Sequence, residues 1–548
     1  MTSYILNVTD RNYTGYEWLP FRQEESQVMP PSVSPLESKL FHHDIVTQAG
    51  KLISSRYRNL TKISGVLIID GKTYGRANGK LLYKCIPDEL QLPCFLIPYE
   101  ENLKTFSKLK VNKYITFCFK EWTMKPPVGI LTNNFGNVDD IEAYINYQLE
   151  CKGLNSSIKP LNNALLACVE KAEMLPHKDI EDRRTADIFS IDPHGCNDID
   201  DAIGIQTTPD GQTILSIYIA NVPFMLEQLN LWKYMSDRIS TIYFSSKKIM
   251  MLPATLSEDK FSLRQAEDRV AFVLDVYLNK TSAISDIKYS TVLICVNKNY
   301  VYEEQALLAQ PAYQSLQQIV RELNNNGLHY VDQVADSHDV VEFCMILMNY
   351  ECSKLLREKN RGIFRSATKP QKKGTNDETI MPPELKKIMQ GTVGEYCSVE
   401  TCKPHELIAG GLPSYVHITS PIRRLVDCIN MLELQRDTFI NSVEAEQFLE
   451  KWYAKIAYIN EKTKAIRRLQ NDIELLQLHY ANNKRIYDGI VFLPASNLKY
   501  KVYIPELKLI TTIFSNQEIT NYSLAKFTSH LFMDEMKMTK KVRLQLIC

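Results

Sequence analysis

The sequence predicts a multidomain α+β protein, a central α/β body with a small β-barrel region before it and another after it. Three observations lead there. The 548 residues exceed one core, since domains run to roughly 100–200 residues. Both ends are rich in short β-type runs separated by turn residues. The middle alternates apolar strand-like runs with long amphipathic stretches.

In chain order, residues 1–45 read as an irregular tail, with "MPPSVSPLES" (29–38) as a linker. Residues 46–180 form a β-rich region. "ISGVLIID", "LLYKCI", "PCFLIPYE" and "KYITFCFKEW" are strands at barrel-like spacing, and "KPPVGILTNNFGNVDD" leads into a helical connector. The body spans 181–435, with strands such as "TILSIYIANV" and "RVAFVLDVYL" and the helix "VVEFCMILMNYECSKLLREK". Over 436–484 one long helix completes it. Phe448, Leu449, Trp452, Ile456, Ile459, Ile466, Leu469, Ile473 and Leu476 recur mostly at three- or four-residue steps, drawing an apolar stripe that packs on a core. Residues 485–548 return to β structure in "RIYDGIVF", "KYKVYIPELKL" and "KKVRLQLIC". No internal repeat is visible.

Bulk properties narrow the functional classes. The 64 basic and 64 acidic side chains cancel, which argues against non-specific coating of nucleic acid but not against an enzyme with a basic channel and an acidic centre. No apolar run reaches the ~18 residues of a membrane span. The first residues lack the basic and apolar regions of a signal peptide. Thirteen scattered cysteines read as reduced thiols. An intracellular, cytoplasmic, monomeric protein without membrane contact is expected.

Two stretches carry chemistry. "SIDPHGCNDIDDAIGI" (190–205) places Asp192, Asp198, Asp200 and Asp201 within ten positions. Pro193 and Gly195 turn the chain after an apolar strand, bringing the later aspartates back beside Asp192 at a strand end. An acidic surface loop is the plain alternative, but such loops carry Lys, Glu or Ser rather than Ile and Ala. A calcium loop lacks its spacing and terminal Glu. Convergent carboxylates suit magnesium, and two ions about 3.5–4 Å apart clamp the attacking and leaving oxygens of a phosphodiester.

The second stretch is "PSYVHITSPIRRLVDCINM" (413–431). Thr419 or Ser420 caps a helix, with Pro421 in its first turn. Arg423 and Arg424 then sit against the helix dipole, so they serve something outside it. Arg423 suits a phosphate oxygen, with Asp427 to orient it; the bland alternative is an Arg423–Asp427 salt bridge. A zinc site on Cys397, Cys402 and His405 has no clear fourth ligand.

Together these stretches resemble the RNB family of ribonucleases, the ribonuclease II superfamily, whose members degrade RNA from the 3′ end. "STIYFSSKKIMMLPATLSEDKFSLRQAEDRVAF" and "ILMNYECSKLLREKNRGIFR" resemble its intervening blocks. "DPHGCNDIDDA" is similar to the branch of the eukaryotic exosome catalytic subunit. The resemblance implies cold-shock/OB-type barrels around an RNB catalytic body. It implies hydrolytic 3′-to-5′ degradation of single-stranded RNA, not preferentially DNA, to nucleoside 5′-monophosphates, with Mg²⁺ (or Mn²⁺ in its place). Asp192, Asp198, Asp200 and Asp201 would be metal ligands, and Asp200, Asp201 and Arg423 catalytic. Tyr243, Arg423 and Arg424 would contact RNA, Tyr243 by stacking on 3′-terminal bases. No position matches the second clamping aromatic. After "TSPIRR" the family's Tyr, His and Arg are replaced, and "HIADV" becomes "YIANV", with Tyr218 and Asn221. A compact, divergent member, as in a large DNA virus or a reduced eukaryote, is expected, without an N-terminal PIN nuclease. The rival is an RNB-fold scaffold that binds RNA without cutting it, which keeping all four aspartates argues against.

Overall fold

The computed structural model describes residues 3–21, 29–100, 110–169, 180–368, 385, 394–483, 485–495, 499–507, 509–516 and 518–547. The chain divides into two compact units, Met1–Asn155 with Asn471–Cys548, and Ser156–Gln470. Among the described residues, no helix is long and apolar enough to cross a membrane.

The expected N-terminal tail is instead largely a sheet. Strands Ser3–Val8, Tyr16–Pro20, Ile45–Thr47 and Leu52–Ser54 join in the order second, first, third, fourth. Tyr4, Leu6 and Val8 alternate inward onto Tyr13, Leu40 and Val46, the period-two pattern of a half-buried strand. The intervening polar residues masked it in a composition-based reading.

The barrel that follows is closed. Strands Ile63–Ala77, Lys80–Pro87, Phe95–Tyr99, Lys113–Glu121 and Val128–Asn137 connect in the order first, second, third, fifth, fourth, which is OB-type connectivity. Its core gathers Phe95, Phe117 and Trp122, with Phe41 stacked on Trp122 at 4.7 Å. A Cβ on Gly129 would stand 2.7 Å from both Ile97 and Phe117, so glycine is what lets the wall pack. The connector helix Ile141–Cys151 is N-capped by Asp140, which accepts from the Glu142 N–H at 2.9 Å. Its Tyr147 stacks on Tyr114 at 4.5 Å.

The C-terminal strands Ile486–Ala495, Lys499–Ile504, Leu509–Phe514, Leu524–Asp534 and Thr539–Leu546 run in the order third, second, first, fourth, fifth. Tyr487, Val491, Val502, Ile504 and Phe527 fill this second OB-type core.

The other unit is built on a seven-stranded sheet. Its order is Glu181–Asp182, Ile284–Cys295, Asp268–Leu278, Thr213–Ala220, Asp201–Thr207, Ile188–Asp192 and Lys298–Val301. Inner pairings are antiparallel and the two edge pairings parallel. Helix Ser337–Glu358 packs Phe343, Leu347 and Met348 into the same apolar cluster as Leu215, Ile217 and Leu274. Helix Leu425–Gln435 is buried along its whole length, so it is a core helix rather than a surface amphipathic one.

Asn221, one of the replaced positions, and the nearby Asn430 have structural partners. Asn221 caps helix Val222–Gln228 and exchanges two hydrogen bonds with Gln435, at 2.8 and 3.0 Å. Asn430 bonds the Ile363 N–H and the Ile363 and His417 carbonyls. Gln435→Ala would remove two hydrogen bonds of the buried Asn221 amide, so we expect it to lower unfolding stability by about 1–3 kcal/mol, read by urea denaturation. A loss below the error of that measurement contradicts the assignment.

The single long helix expected over 436–484 is two, Val443–Tyr453 and Ile456–Ala481, interrupted at Ala454–Lys455. The apolar stripe is real: Phe448, Leu449, Trp452, Ile459, Ile466, Leu469, Ile473 and Leu476 are buried. Periodicity ran across the break because the spacing around it hides a turn.

Candidate active site

Strand Ile188–Asp192 delivers Asp192 at its end. The Cys196 N–H donates to the Pro193 carbonyl, and Gly195 takes φ +77°, a left-handed conformation that favours glycine. The chain then returns antiparallel as strand Asp201–Thr207. The strand–turn–strand expected around the aspartates is therefore present.

Each carboxylate has a different environment. Ser190 Oγ donates to Asp192 Oδ2 at 2.8 Å. Asp198 is held by Tyr243 Oη at 2.9 Å and Lys248 Nζ at 3.1 Å. Asp200, 2% exposed, accepts from the Ile422 N–H and from Arg423 Nε, both at 2.9 Å. Among the described residues, nothing donates a hydrogen bond to the Asp201 carboxylate.

Burial raises Asp192 to about 6 and, against the pull of Arg423, Asp200 to about 7. Asp201 is pushed well above the ordinary carboxylate range by burial and by the Asp192 and Asp200 charges.

Among the described residues, no group of three or more His, Cys, Asp and Glu side chains stands in metal-holding geometry. The four expected ligands do face one cavity and act on one another electrostatically. Asp198 and Asp200 turn to nearby cations and donors, the ordinary fate of a buried carboxylate. Asp192 and Asp201 repel each other when ionised, on top of the burial that raises both. A divalent cation held by their hard oxygen donors would relieve that repulsion.

The carboxylates open into a cavity of about 920 Å³, also lined by Arg423, Tyr243, Tyr302 and His338. Arg365, Tyr396, His417, Arg424 and Arg467 belong to the same cavity, so it carries both acidic and basic walls. Tyr396 Oη and His417 Nδ1 are 2.9 Å apart. Burial, then Arg424 and Arg365, holds His417 well below its ordinary value, as a neutral imidazole.

The arginine segment departs from expectation. Helix Leu425–Gln435 begins after both arginines, with Arg424 as its N-cap residue. Residues 421–424 instead run beside Ile239–Thr241, where Thr241 N–H donates to the Arg423 carbonyl and Leu425 N–H to the Ile239 carbonyl. The anticipated conflict with the helix dipole does not arise. Asp427 pairs with Arg424 at 2.9 Å and accepts from the Ser420 N–H at 2.7 Å. It does not orient Arg423, whose partners are Asp200 and Ser420 Oγ. Arg423 keeps 45% of its side chain exposed.

Tyr243 lines the cavity, 36% exposed, with its hydroxyl tied to Asp198. Sequence reasoning missed Lys248, although it adjoins the "MLP" block. It also missed Tyr302 and His338, which stack at 3.7 Å and 9°. A tyrosine and a histidine 36 positions apart carry no joint sequence signal.

Two outcomes follow from this geometry. Tyr243→Phe removes the hydroxyl but keeps the ring, so turnover on RNA should fall roughly 3–10-fold with Kd unchanged, since the loss is one hydrogen bond to a charged group. Equal turnover of the two proteins contradicts the contact. The raised values of Asp192 and Asp200 favour their protonated forms in the folded state. Their stabilisation is complete below the unfolded aspartate value of about 4 and is lost as pH rises through about 6 and 7. The Tm of metal-free protein should therefore fall across that interval, and Asp201→Asn should raise it by roughly 2–4 °C above that interval. A flat Tm, or a drop on substitution, contradicts the carboxylate repulsion.

The α/β body with its carboxylate-lined cavity, together with the two OB-type β regions, defines a class of multidomain fold. The RNB domain model matches residues 179–334 of this chain. The chain is 29% identical over 254 residues to DIS3-like exonuclease 2 of Schizosaccharomyces pombe, covering 42% of this chain and 27% of that protein. It is 25% identical over 291 residues to ribonuclease R of Aquifex aeolicus, covering 50% and 39%. The chain thus spans less than half the length of these curated relatives. Its fold is shared with Mycoplasma genitalium RNase R in complex with ribose-methylated single-stranded RNA, at TM-score 0.68 and 15% identity over 100% of both chains. It is shared also with yeast Ssd1, a pseudonuclease, at TM-score 0.56 and 13% identity over 96% and 80%.

Proposed function

We propose that this chain is a hydrolytic exoribonuclease that shortens single-stranded RNA from its 3′ end, releasing nucleoside 5′-monophosphates with magnesium, or manganese, as cofactor. The carrying observation is the meeting of Asp192, Asp198, Asp200, Asp201 and Arg423 at one cavity. Asp192 and Asp201 would hold the cation, with Asp198 joining by release from Lys248. Magnesium held there supplies a Lewis acid for the phosphate and makes water a better nucleophile near neutral pH.

The chain's own groups do the remainder. Arg423, oriented by Asp200 and Ser420, presents its free N–H groups to the scissile phosphate, where negative charge grows in the transition state. Asp200, at about 7, is poised to exchange a proton near neutral pH. Tyr243 offers a ring face to the terminal bases.

The second reading, an RNB-fold protein that binds RNA without cutting it, is favoured by the shared fold of the Ssd1 pseudonuclease. Retention of all four aspartates weighs against it. The test is 5′-labelled single-stranded RNA with magnesium or with chelator. A ladder of progressively shorter strands appearing only with magnesium is expected. RNA that is bound but stays whole establishes the second reading.

A further inference from the structure

Lys248 stands at the edge of the acid centre. It lies on a short hairpin in which strand Ile242–Tyr243 pairs antiparallel with strand Lys248–Ile249, so Tyr243 and Lys248 are direct cross-strand partners. Side chains so paired reach the same side of a hairpin, and here both end on Asp198. The tyrosine hydroxyl donates to Oδ2 at 2.9 Å and the ammonium to Oδ1 at 3.1 Å. The Asp198 side chain is 4% exposed, whereas that of Lys248 keeps 34%. A second carboxylate flanks the same ammonium. Glu258, on the helical turn Thr255–Lys260, lies 3.8 Å from Lys248 Nζ and is 31% exposed.

This arrangement gives Asp198 a resident cation. A buried carboxylate needs compensating charge, and Lys248 supplies it. Burial works against the ammonium, but Asp198 and Glu258 outweigh it, so Lys248 stays charged at neutral pH. Lys248 and Asp198 line the same cavity as Asp192 and Asp201. A divalent ion held by those two can recruit Asp198 only by displacing the ammonium. The displaced group has a destination, because Glu258 is already within ion-pair reach and closer to solvent.

We propose that Lys248 is a built-in competitor for the divalent cation, an ammonium latch that holds Asp198 until the cation binds and then passes to Glu258. The inference rests on the reading that Asp192 and Asp201 hold that cation. The exchange makes and breaks ion pairs only. Its consequence is a metal affinity lower than the carboxylates alone would give, so loading stays readily reversible.

The test is Mn²⁺ binding to the full chain without RNA, read from the electron paramagnetic resonance of the free ion. Asp201→Asn should remove the binding, which locates the ion at the carboxylates. Lys248→Met should bind Mn²⁺ roughly 3–10-fold more tightly than wild type, the scale of one partly exposed ion pair. Lys248→Arg keeps the competing charge and should show no such gain. Lys247→Met loses the same charge one position away and should stay within about twofold of wild type, because charges outside the site are screened. Glu258→Gln should weaken binding about two- to fivefold in wild type and hardly at all in Lys248→Met, the non-additivity of contacts in one network. Equal affinities of wild type and Lys248→Met, or an equal gain in Lys247→Met, overturn the proposal and leave the cation reading standing. No Mn²⁺ binding by any of these proteins overturns that reading and the proposal with it.

Discussion

Asp200→Asn should abolish RNA cleavage while leaving RNA binding intact. Asparagine keeps an oxygen for the Ile422 N–H, which Asp200 now binds at 2.9 Å, so the local backbone should hold. What disappears is the charge that fixes Arg423 through Nε, and a carboxylate raised to about 7 that can exchange a proton. Losing both a charge-assisted orientation and proton transfer should lower kcat by roughly 10³-fold or more. Kd for a single-stranded oligonucleotide, measured by fluorescence anisotropy, should change less than about threefold, a shift under 1 kcal/mol. Retained cleavage would remove Asp200 from the chemistry.

Arg423→Lys carries the second large effect. Lysine keeps the charge but has no planar fork, so it cannot hold Asp200 through one nitrogen while offering others to a phosphate. Turnover should fall roughly 10²–10³-fold, the usual scale for one lost transition-state donor. The fall should lie in kcat rather than KM, because the contact matters most as charge develops. Arg424→Lys is the contrasting control. Arg424 is spent on Asp427 and Ser420, so its replacement should act on stability first. Equal kinetic losses at both positions contradict this division.

Much of the site was legible because it is local. Four aspartates, one proline and one glycine within ten positions determine a strand end with converging carboxylates. The "TSPIRR" segment likewise contains its own arginine–serine contact. Illegible were the pairings made by the fold. Tyr243 and Lys248 reach Asp198 from 45 and 50 positions away, and Asn221 finds Gln435 across 214. Arg423 found its partner in Asp200 across 223 positions rather than in nearby Asp427, because the segment leaves the helix before Leu425. For the fold, barrels and body were readable from alternation and turns. The first sheet was not, since its strands pair across long polar segments. The break at Ala454–Lys455 leaves no proline or glycine to announce it.

The most direct test of the central claim is the fate of a 3′ label. Single-stranded RNA labelled on its last nucleotide is incubated with the protein and magnesium, and the products are resolved by chromatography. Release of the label as nucleoside 5′-monophosphate from the first turnover onward is predicted, absent with Asp200→Asn. Release as a longer oligonucleotide, or RNA that binds and keeps its label, would contradict the account.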